Sequence, residues 1–262
     1  MKNTITTAVV PVAGKGSRLY PLTQATPKEL FTTLDGSIIE LIIHELIKSG
    51  ITKIILVTSP IKPAIKTHVN AMVLPLTPSG EKVKIHFVNQ NRIPGNGGSI
   101  ISALPYTKSE TFIVVWGDEL FLNAKIPRAR QLINNYEVHQ KPVIALTQVS
   151  DEDVSKCGIV TTSHTLQDGS YQISDLLEKP AIEDTPSRLA SVGGYIVTSE
   201  IISELKRAPY SADNELYLSK ALQTYCASQT LLGVVIDADW HETGSFAGYE
   251  RAFTTIAQKR RN

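Results

Sequence analysis

The chain has few cysteines, no long hydrophobic run and no excess of charge of either sign. Cys157 and Cys226 lie far apart, without a C-x-x-C pair or a Cys/His cluster, which argues against structural zinc and disulfides and favours the reducing cytoplasm. No apolar run approaches a membrane span, and no signal-peptide region is found, so we expect neither secretion nor a membrane anchor. Because 26 basic residues nearly balance 25 acidic ones, neither nucleic acid nor a membrane is expected as a partner, and any phosphate affinity must be local.

An apolar run near the start leads into a loop with glycines and basic residues. Residues 8–12 (AVVPV) predict a strand that is covered on both faces. Gly14 and Gly16 follow and allow backbone N–H groups to turn toward an anion, while Arg18 and Lys28 add positive charge. This order predicts a phosphate-binding loop, although two glycines after a strand also fit a plain tight turn.

Two well-known phosphate loops do not match this segment. A dinucleotide-binding loop has a third glycine where this chain has Leu19. A Walker A loop ends in Gly-Lys-Ser/Thr, whereas residues 16–18 are Gly-Ser-Arg. A nucleotide-dependent oxidoreductase is also disfavoured, because no clear ribose-binding acid follows the second strand.

The spacing of apolar runs predicts an α/β protein. Ser37–Ser49 has apolar residues at helical spacing and ends before Gly50, a C-cap signal, so it predicts a helix between two parallel strands. Residues 157–178 show two short alternating segments around a Gln-Asp-Gly-Ser turn, which predicts a hairpin. At 262 residues, one large domain is the default. The strand candidates are residues 7–12, 53–58, 84–89, 111–116, 142–148, 191–197 and 230–237.

The glycine loop resembles the signature of the sugar-1-phosphate nucleotidyltransferases. Their G-x-G-[ST]-R loop precedes a P-K motif, and the matching residues are Gly14, Gly16, Ser17, Arg18, Pro27 and Lys28. The Pro-Val-Ala-Gly opening at residues 11–14, and Glu29, look like the bacterial UTP–glucose-1-phosphate uridylyltransferases. The resemblance runs along nearly the whole chain. It implies a Rossmann-like three-layer αβα fold whose mixed sheet is mostly parallel with a small antiparallel portion. It also implies one domain, 1–262, with a nucleotide-binding part at about 1–120 and a sugar-binding part at about 121–262.

A carboxylate follows the apolar run at residues 112–116, where Gly117 leads to Asp118. Ligands of open α/β sheets collect beyond the carboxyl ends of strands, so Asp118 stands where it could hold Mg²⁺ against phosphates, although a turn or helix cap also fits. The resemblance favours the metal role and implies a second carboxylate near the C-terminus. This chain has Glu242 there, where the family usually has Asp, and an added methylene could displace the ion. Glu242 also fits a helix start.

The resemblance assigns the sugar-binding residues. Glu178 and Lys179 match an E-K-P motif in which Glu holds sugar hydroxyls and Lys meets the sugar phosphate, although such a triplet is also common on solvated surfaces. Gly193 matches a segment beside the sugar. Glu215 matches a sugar-binding Glu, but positions 214 and 217 depart from that motif, and a capped helix start fits equally well.

The nucleotide-binding residues are assigned in the same way. Ala13 and the loop residues Gly14, Gly16 and Ser17 belong to the implied nucleotide site. The resemblance places Gln90 where an amide reads the pyrimidine edge, and Gly95 where the backbone approaches the base closely. Positions 89 and 98 depart from the family pattern, and a glycine-rich loop is also a plain surface connection.

Together these motifs imply transfer of a nucleotidyl group from an NTP, in the first place UTP, to a sugar-1-phosphate, in the first place glucose-1-phosphate. Arg18, Lys28 and Lys179 are the catalytic candidates, and Mg²⁺ is the expected cofactor. A thymidylyl- or cytidylyltransferase on the same scaffold stays open, as does a non-catalytic homologue that binds nucleotide-sugar, which the departures at 98, 214 and 242 motivate. A homo-oligomer also stays open, because the segment between Lys62 and Gln90 is shorter than in the typical uridylyltransferase.

Overall fold

The computed structural model describes residues 5–90, 93–108 and 111–261. Residues 91 and 92, which fall inside the glycine-rich segment that follows Gln90, lie outside the described part. Among the described residues, no helix is both long enough and apolar enough to span a bilayer.

The described residues form thirteen strands and nine α-helices. The strands are β1 (Thr7–Pro11), β2 (Thr32–Thr33), β3 (Gly36–Ser37), β4 (Lys53–Thr58), β5 (Lys84–Asn89), β6 (Phe112–Val114), β7 (Glu119–Leu122), β8 (Val143–Gln148), β9 (Gly158–Thr165), β10 (Tyr171–Glu178), β11 (Leu189–Val197), β12 (Leu231–Val235) and β13 (Asp239–Glu242). The helices are α1 (Leu22–Ala25), α2 (Ile38–Lys48), α3 (Pro63–Ala71), α4 (Asn96–Thr107), α5 (Arg128–His139), α6 (Asp151–Val154), α7 (Ser199–Arg207), α8 (Leu218–Cys226) and α9 (Phe246–Lys259).

One half of the main sheet is parallel, in the order β5-β4-β1-β6. The first strand, β1, lies between β4 and β6, and Val9 pairs with Ile55 on one side and with Val114 on the other. Val9 and Val10 are fully buried and belong to separate apolar clusters, because they point to opposite faces of the sheet. The buried strand that the apolar run predicts is therefore confirmed.

Apolar layers cover both faces of the sheet. Side chains from α2, α3, α5 and α9 form one layer, and side chains from α4, α7 and α8 form the other. The three-layer αβα arrangement expected from the sequence is confirmed. Such a sheet is covered on its faces but open at its strand ends, where the loops are free to bind ligands.

The predicted helix at residues 37–49 is confirmed as α2, with Ser37 and Ser49 as its caps. Ser37 accepts a hydrogen bond from the backbone N–H of Glu40, and the Glu40 carboxylate accepts one from the Ser37 N–H, which is a capping box. After the helix, Gly50 turns the chain with φ +87°.

The other half of the main sheet, in the order β11-β8-β12-β10-β9, is mainly antiparallel. Here β9 and β10 form the hairpin predicted at residues 157–178. The antiparallel portion extends beyond this hairpin, because β11 also runs antiparallel to β6, β8 and β9. The pairing of β11 with β8 shifts register between Val192 and Tyr195, so β11 bulges at Gly193 and Gly194.

A separate two-stranded ribbon stands beside the main sheet. It pairs β7 with β13 in antiparallel register, with Glu119 opposite Glu242 and Leu122 opposite Asp239. Because Asp118 directly precedes β7, the ribbon brings the two predicted metal carboxylates, Asp118 and Glu242, to the same end.

Candidate active site

A cleft of about 820 Å³ opens where β1, β4, β5 and β6 end, at the carboxyl edge of the parallel half. This is the position at which open α/β sheets bind ligands. Of the residues assigned from the sequence, those that line it are Ala13, Gly14, Ser17, Arg18, Lys28, Gln90, Gly95, Asp118 and Glu215. Lys15, Asn96, Trp116 and Tyr217 also line it, among others.

The glycine loop follows β1 and closes with a tight turn. Gly16 has φ +71°, and its carbonyl accepts hydrogen bonds from the Leu19 N–H (3.0 Å) and the Thr23 hydroxyl (2.9 Å). Leu19 is fully buried, which anchors the turn. At Gly14, in contrast, no atom of the described residues would come within 4 Å of an added Cβ. Gly14 therefore faces open space inside the cleft.

A buried ion pair between Lys62 and Glu29 holds the start of this loop in place. The Lys62 ammonium donates to both carboxylate oxygens of Glu29 (3.0 and 2.9 Å) and to the carbonyl of Val12 (3.1 Å). Both side chains are almost fully buried. Burial raises the pKa of Glu29 and lowers the pKa of Lys62, and the attraction between the two charges opposes both shifts. Lys62 thereby ties the end of β1 to the segment that carries Lys28.

Lys28 and Asp118 form an ion pair inside the cleft. Burial favours the neutral lysine, but the charges of Asp118 and Glu29 outweigh it, so the pKa of Lys28 lies above its usual value. Burial raises the pKa of Asp118, but the charge and the hydrogen bond of Lys28 lower it by a larger amount. The pKa of Asp118 therefore lies below its usual value. Both groups are therefore charged at neutral pH.

A second ion pair joins Arg18 to Glu242, with 2.8 Å between Nη2 and Oε1. The other carboxylate oxygen of Glu242 accepts a hydrogen bond from the Ser245 hydroxyl at 3.0 Å. An added Cβ on Gly244 would lie 2.4 Å from Glu242 Oε1, 2.9 Å from Arg18 Nη2 and 3.1 Å from Asp118 Oδ2. Glu242 and Asp118 thus converge on one small space, despite the glutamate where the family usually has aspartate.

Asp118 and Glu242 are the candidate ligands for a divalent cation. Among the described residues, no group of three or more His, Cys, Asp or Glu side chains is placed to hold a metal. Mg²⁺, however, is usually bound by one or two carboxylates together with waters and substrate phosphates. The convergence of Asp118 and Glu242 beside the phosphate loop fits that kind of site.

The backbone also fixes this arrangement. The Asp118 carbonyl accepts hydrogen bonds from both the N–H and the hydroxyl of Thr243, each at 2.8 Å. Thr243 is fully buried. The segment that contains Glu242 and Gly244 is therefore held against Asp118, and neither carboxylate depends on a free loop.

Gln90 lies at the end of β5 and holds the glycine-rich loop together. Its amide nitrogen donates to the carbonyls of Ile93 and Gly95, each at 2.8 Å, and its amide oxygen accepts from the Ser99 hydroxyl at 2.6 Å. Both amide hydrogens are thus used within the protein, while the amide oxygen keeps a second lone pair. The sequence does not predict this supporting role.

Gly95 and Glu215 lie side by side at one end of the cleft. Gly95 has φ +87°, and an added Cβ would lie 2.4 Å from the carbonyl oxygen of Leu216 and 3.0 Å from the Cβ of Glu215. Only glycine fits in this position. The structure therefore places Glu215, assigned to the sugar, next to Gly95, assigned to the nucleotide. Tyr217 also lines the cleft here, and its hydroxyl donates to Asp213 at 3.0 Å.

Gly193 lies in the bulge of β11 and is buried. Its N–H donates to Glu119 Oε2 at 2.9 Å, and its carbonyl accepts from the fully buried guanidinium of Arg128. Burial, together with the charge of the adjacent Asp118, raises the pKa of Glu119 to about 7. Both backbone polar groups of Gly193 are thus held by ionisable side chains.

Glu178 and Lys179 end the hairpin and are exposed. Glu178 pairs with Gly158, and its Oε2 would lie 3.5 Å from a Cβ added there. Lys179 adopts φ +49°, and its N–H donates to the carbonyl of Cys157 at 3.0 Å. Neither residue lines the cleft. Of the other residues assigned from the sequence, Gly16, Gly193 and Glu242 do not line it either.

A family model described as nucleotidyl transferase matches residues 7–259. The UTP–glucose-1-phosphate uridylyltransferase YngB of Bacillus subtilis (strain 168) is 32% identical over 275 residues, covering 99% of this chain and 92% of that protein. The UTP–glucose-1-phosphate uridylyltransferase of Streptococcus pneumoniae serotype 4 is 30% identical over 276 residues, with 99% of this chain and 92% of that protein covered.

Solved structures give the same result. An apo UDP-glucose pyrophosphorylase superposes with a TM-score of 0.89 and 27% identity, covering 98% of this chain and 99% of that one. A UDP-glucose pyrophosphorylase complexed with UDP-glucose superposes with a TM-score of 0.87 and 27% identity, covering 97% and 99%. The similarity spans both halves of the main sheet.

Proposed function

Because this chain belongs to the nucleotidyl transferase family, we propose that it transfers a uridylyl group from UTP to glucose-1-phosphate, forming UDP-glucose and pyrophosphate. The observation that carries this proposal is the meeting of two cations, Arg18 and Lys28, with two carboxylates, Asp118 and Glu242, beside the glycine loop. Relatives named for this reaction match the chain over nearly its whole length.

The reaction needs no covalent enzyme intermediate. An oxygen of the sugar phosphate attacks the α-phosphorus of the nucleotide, a new P–O bond forms, and the bond to the β-phosphate breaks to release pyrophosphate. Lys28 and Arg18 neutralise charge on the nucleotide phosphates near the glycine loop, and Lys179 positions the attacking phosphate. Catalysis of this kind depends on orientation and electrostatic stabilisation.

We propose Mg²⁺ as the cofactor, held by Asp118 and Glu242 together with substrate phosphates. When bound, it supplies a Lewis acid that withdraws charge from the phosphate oxygens. In the structure each carboxylate is paired with a cation of the phosphate site. Arrival of the substrate allows an exchange, in which Lys28 and Arg18 turn to the phosphates and the carboxylates are released.

Gln90 gives a reason for preferring uracil to cytosine. Its amide hydrogens are used by the loop, so the free lone pair of its oxygen is the group that remains for the base. The N3 of uracil carries a hydrogen and can donate to that oxygen, whereas N3 of cytosine is an acceptor. Made at N3, this contact would also admit thymine, so at that atom it separates UTP from CTP and not from dTTP.

We also propose that the chain is a single domain in which the two parts of the main sheet divide the work, the parallel part binding the nucleotide and the antiparallel part binding the sugar phosphate. Glu178, Lys179 and Gly193 all lie on or next to antiparallel strands. The assignment of Glu215 to the sugar stays a prediction. A cytoplasmic location is proposed as well, supported by the two free cysteines.

The test of this function is release of pyrophosphate in the presence of Mg²⁺ and glucose-1-phosphate, with UTP, dTTP, CTP, GTP and ATP compared and the products identified by mass. UDP-glucose is expected as the dominant product. A preference for dTTP or CTP would keep the mechanism and replace the substrate. If no nucleotide and no sugar phosphate of a wider panel reacts, the protein is a non-catalytic binder.

Changing Gly14 to alanine should weaken UTP binding without destabilising the fold. The new methyl group meets no described atom within 4 Å, so the melting temperature should stay unchanged. In the complex it would occupy space that the nucleotide needs, and we expect a rise in the KM for UTP of about 10-fold or more, the scale of one lost contact of about 1.4 kcal/mol.

The matched comparison is Gly16→Ala in the same loop. Gly16 has φ +71°, and its added Cβ would lie 3.0 Å from the Thr23 methyl, so this variant should lose stability as well as affinity. An unchanged KM for UTP in Gly14→Ala would contradict the assignment of Gly14 to the nucleotide site. Equal melting temperatures for the two variants would contradict the strain expected at position 16. Thermal melting and steady-state kinetics measure both.

A further inference from the structure

Glu119 connects three segments that the sequence separates widely. Its Oε2 accepts hydrogen bonds from the indole N–H of Trp240 at 2.6 Å and from the backbone N–H of Gly193 at 2.9 Å. It stands at the start of β7, Trp240 lies in β13, and Gly193 lies in the bulge of β11. One carboxylate oxygen thus holds the ribbon against the antiparallel half of the main sheet.

The bulge is held from its other side by Arg128. This guanidinium donates to the Gly193 carbonyl and forms a two-point ion pair with Glu45 of α2, at 2.7 Å (Nη2–Oε2) and 3.1 Å (Nε–Oε1). The Arg128 side chain is fully buried, and its planar fork allows both contacts at once. Gly193 therefore cannot shift on one side without breaking a charged hydrogen bond on the other.

A side chain at position 193 would be crowded by both of these groups. An added Cβ on Gly193 would lie 3.0 Å from Glu119 Oε2 and 3.2 Å from Arg128 Nη1. The bulge thus occupies a fixed position relative to the ribbon, and the ribbon places Glu242 directly opposite Glu119. The distance between the bulge and the carboxylate at position 242 is set through Glu119.

We propose that Glu119 is a positioning residue, which sets the sugar-phosphate side of the site relative to the cation-binding side. The proposal rests on the proposed function. Glu119 acts as a hydrogen-bond acceptor and contributes no contact to the reacting phosphates. Its two donors are both neutral N–H groups, so an amide oxygen in the same place accepts the same two bonds.

The test compares Glu119→Ala with Glu119→Gln. The alanine variant leaves the Trp240 and Gly193 donors without their acceptor, and we expect the KM for glucose-1-phosphate to rise and kcat to fall, for a combined loss of about 100-fold. The KM for UTP should change by less than about 3-fold, because the glycine loop is untouched. The glutamine variant should recover activity to within about 5-fold of the unchanged protein, because one amide oxygen replaces the acceptor.

A spectroscopic signal reports the contact independently of catalysis. The chain has two tryptophans, and the indole N–H of Trp240, identified with a Trp240→Phe variant, should resonate downfield because it donates to a carboxylate. It should move upfield in Glu119→Ala. Thermal melting shows whether each variant is folded. If the alanine variant does not fold, Trp240→Phe takes its place and should raise the KM for glucose-1-phosphate selectively.

Three outcomes would overturn the proposal. Glutamine as damaging as alanine would mean that the negative charge acts directly. An unchanged glucose-1-phosphate KM and kcat in the folded alanine variant would mean that the contact sets nothing. Equal rises in both KM values would point to a general loss of structure. If the unchanged protein prefers another nucleotide or sugar phosphate, the proposed function is wrong. The Glu119 variants are then compared with those preferred substrates, so the proposal for Glu119 is still tested.

Discussion

Replacing Lys179 with alanine is expected to lower turnover about 1000-fold and to leave the melting temperature unchanged. The size of the loss is that of removing one charged group that stabilises a transition state, about 10²–10³-fold. Lys179 is exposed at the end of β10, and its backbone N–H bond to Cys157 does not depend on the side chain. Loss of the ammonium should therefore remove chemistry without removing structure. Steady-state rates and thermal melting measure the two effects separately.

Lys108 provides a matched control for this variant. It is also an exposed lysine with a left-handed backbone, at φ +56° compared with +49° for Lys179, and it caps α4, away from the residues assigned to the site. Lys108→Ala should keep full activity. If Lys179→Ala turns over as fast as Lys108→Ala, Lys179 does not meet the attacking phosphate, and the E-K-P triplet is a surface feature.

Replacing Asp118 with asparagine should have an effect of similar size, by a different route. The amide keeps the shape of the side chain but removes the charge that would hold Mg²⁺, and we expect kcat to fall about 1000-fold. It also leaves the partly buried ammonium of Lys28 without its carboxylate. Breaking one side of a fully buried ion pair costs about 3–5 kcal/mol; Lys28 and Asp118 keep some contact with water, so we expect a smaller loss and a modest fall in the melting temperature.

The control for this variant is Asp239→Asn. Asp239 lies at the far end of the same ribbon, is exposed, and accepts a hydrogen bond from Asn123 at 2.6 Å. It should keep both activity and affinity for the cation. Titration with Mn²⁺, followed by its electron paramagnetic resonance signal, measures binding without turnover. If Asp118→Asn binds Mn²⁺ as well as Asp239→Asn does, Asp118 is not a metal ligand.

The sequence predicted the central features of the fold because they depend on local patterns. An apolar run of five residues suffices for a buried strand, and the Ser37 and Gly50 signals bound α2 to within one residue. The position of the cleft follows in the same way, because parallel strands present their carboxyl ends at one edge. The extent of the antiparallel half was missed, since β11 pairs with strands before it in the chain that no local signal connects to it.

The supporting side chains of the site could not be read from the sequence. Lys62, Arg128 and Glu119 act through partners that are distant along the chain, with separations of 33, 83 and 121 residues for contacts to Glu29, Glu45 and Trp240. No spacing rule connects such pairs. Each of the three residues also lies close to other charged residues in the sequence, so no local signal distinguishes it from a surface charge, and its burial is known only from the tertiary structure.

The ribbon of β7 and β13 also determines when the site is completed as the chain folds. Thr243 meets the carbonyl of Asp118 across 125 residues of sequence, and Glu242 reaches its place only through this pairing. During synthesis, the glycine loop and β1 emerge long before residue 242. A nascent chain therefore holds Arg18 and Lys28 but lacks one of the two carboxylates, so the pairing of these charges is among the last features of the cleft to form. Such long-range closure is slow compared with local folding, which delays completion of the cleft until the fold is nearly finished.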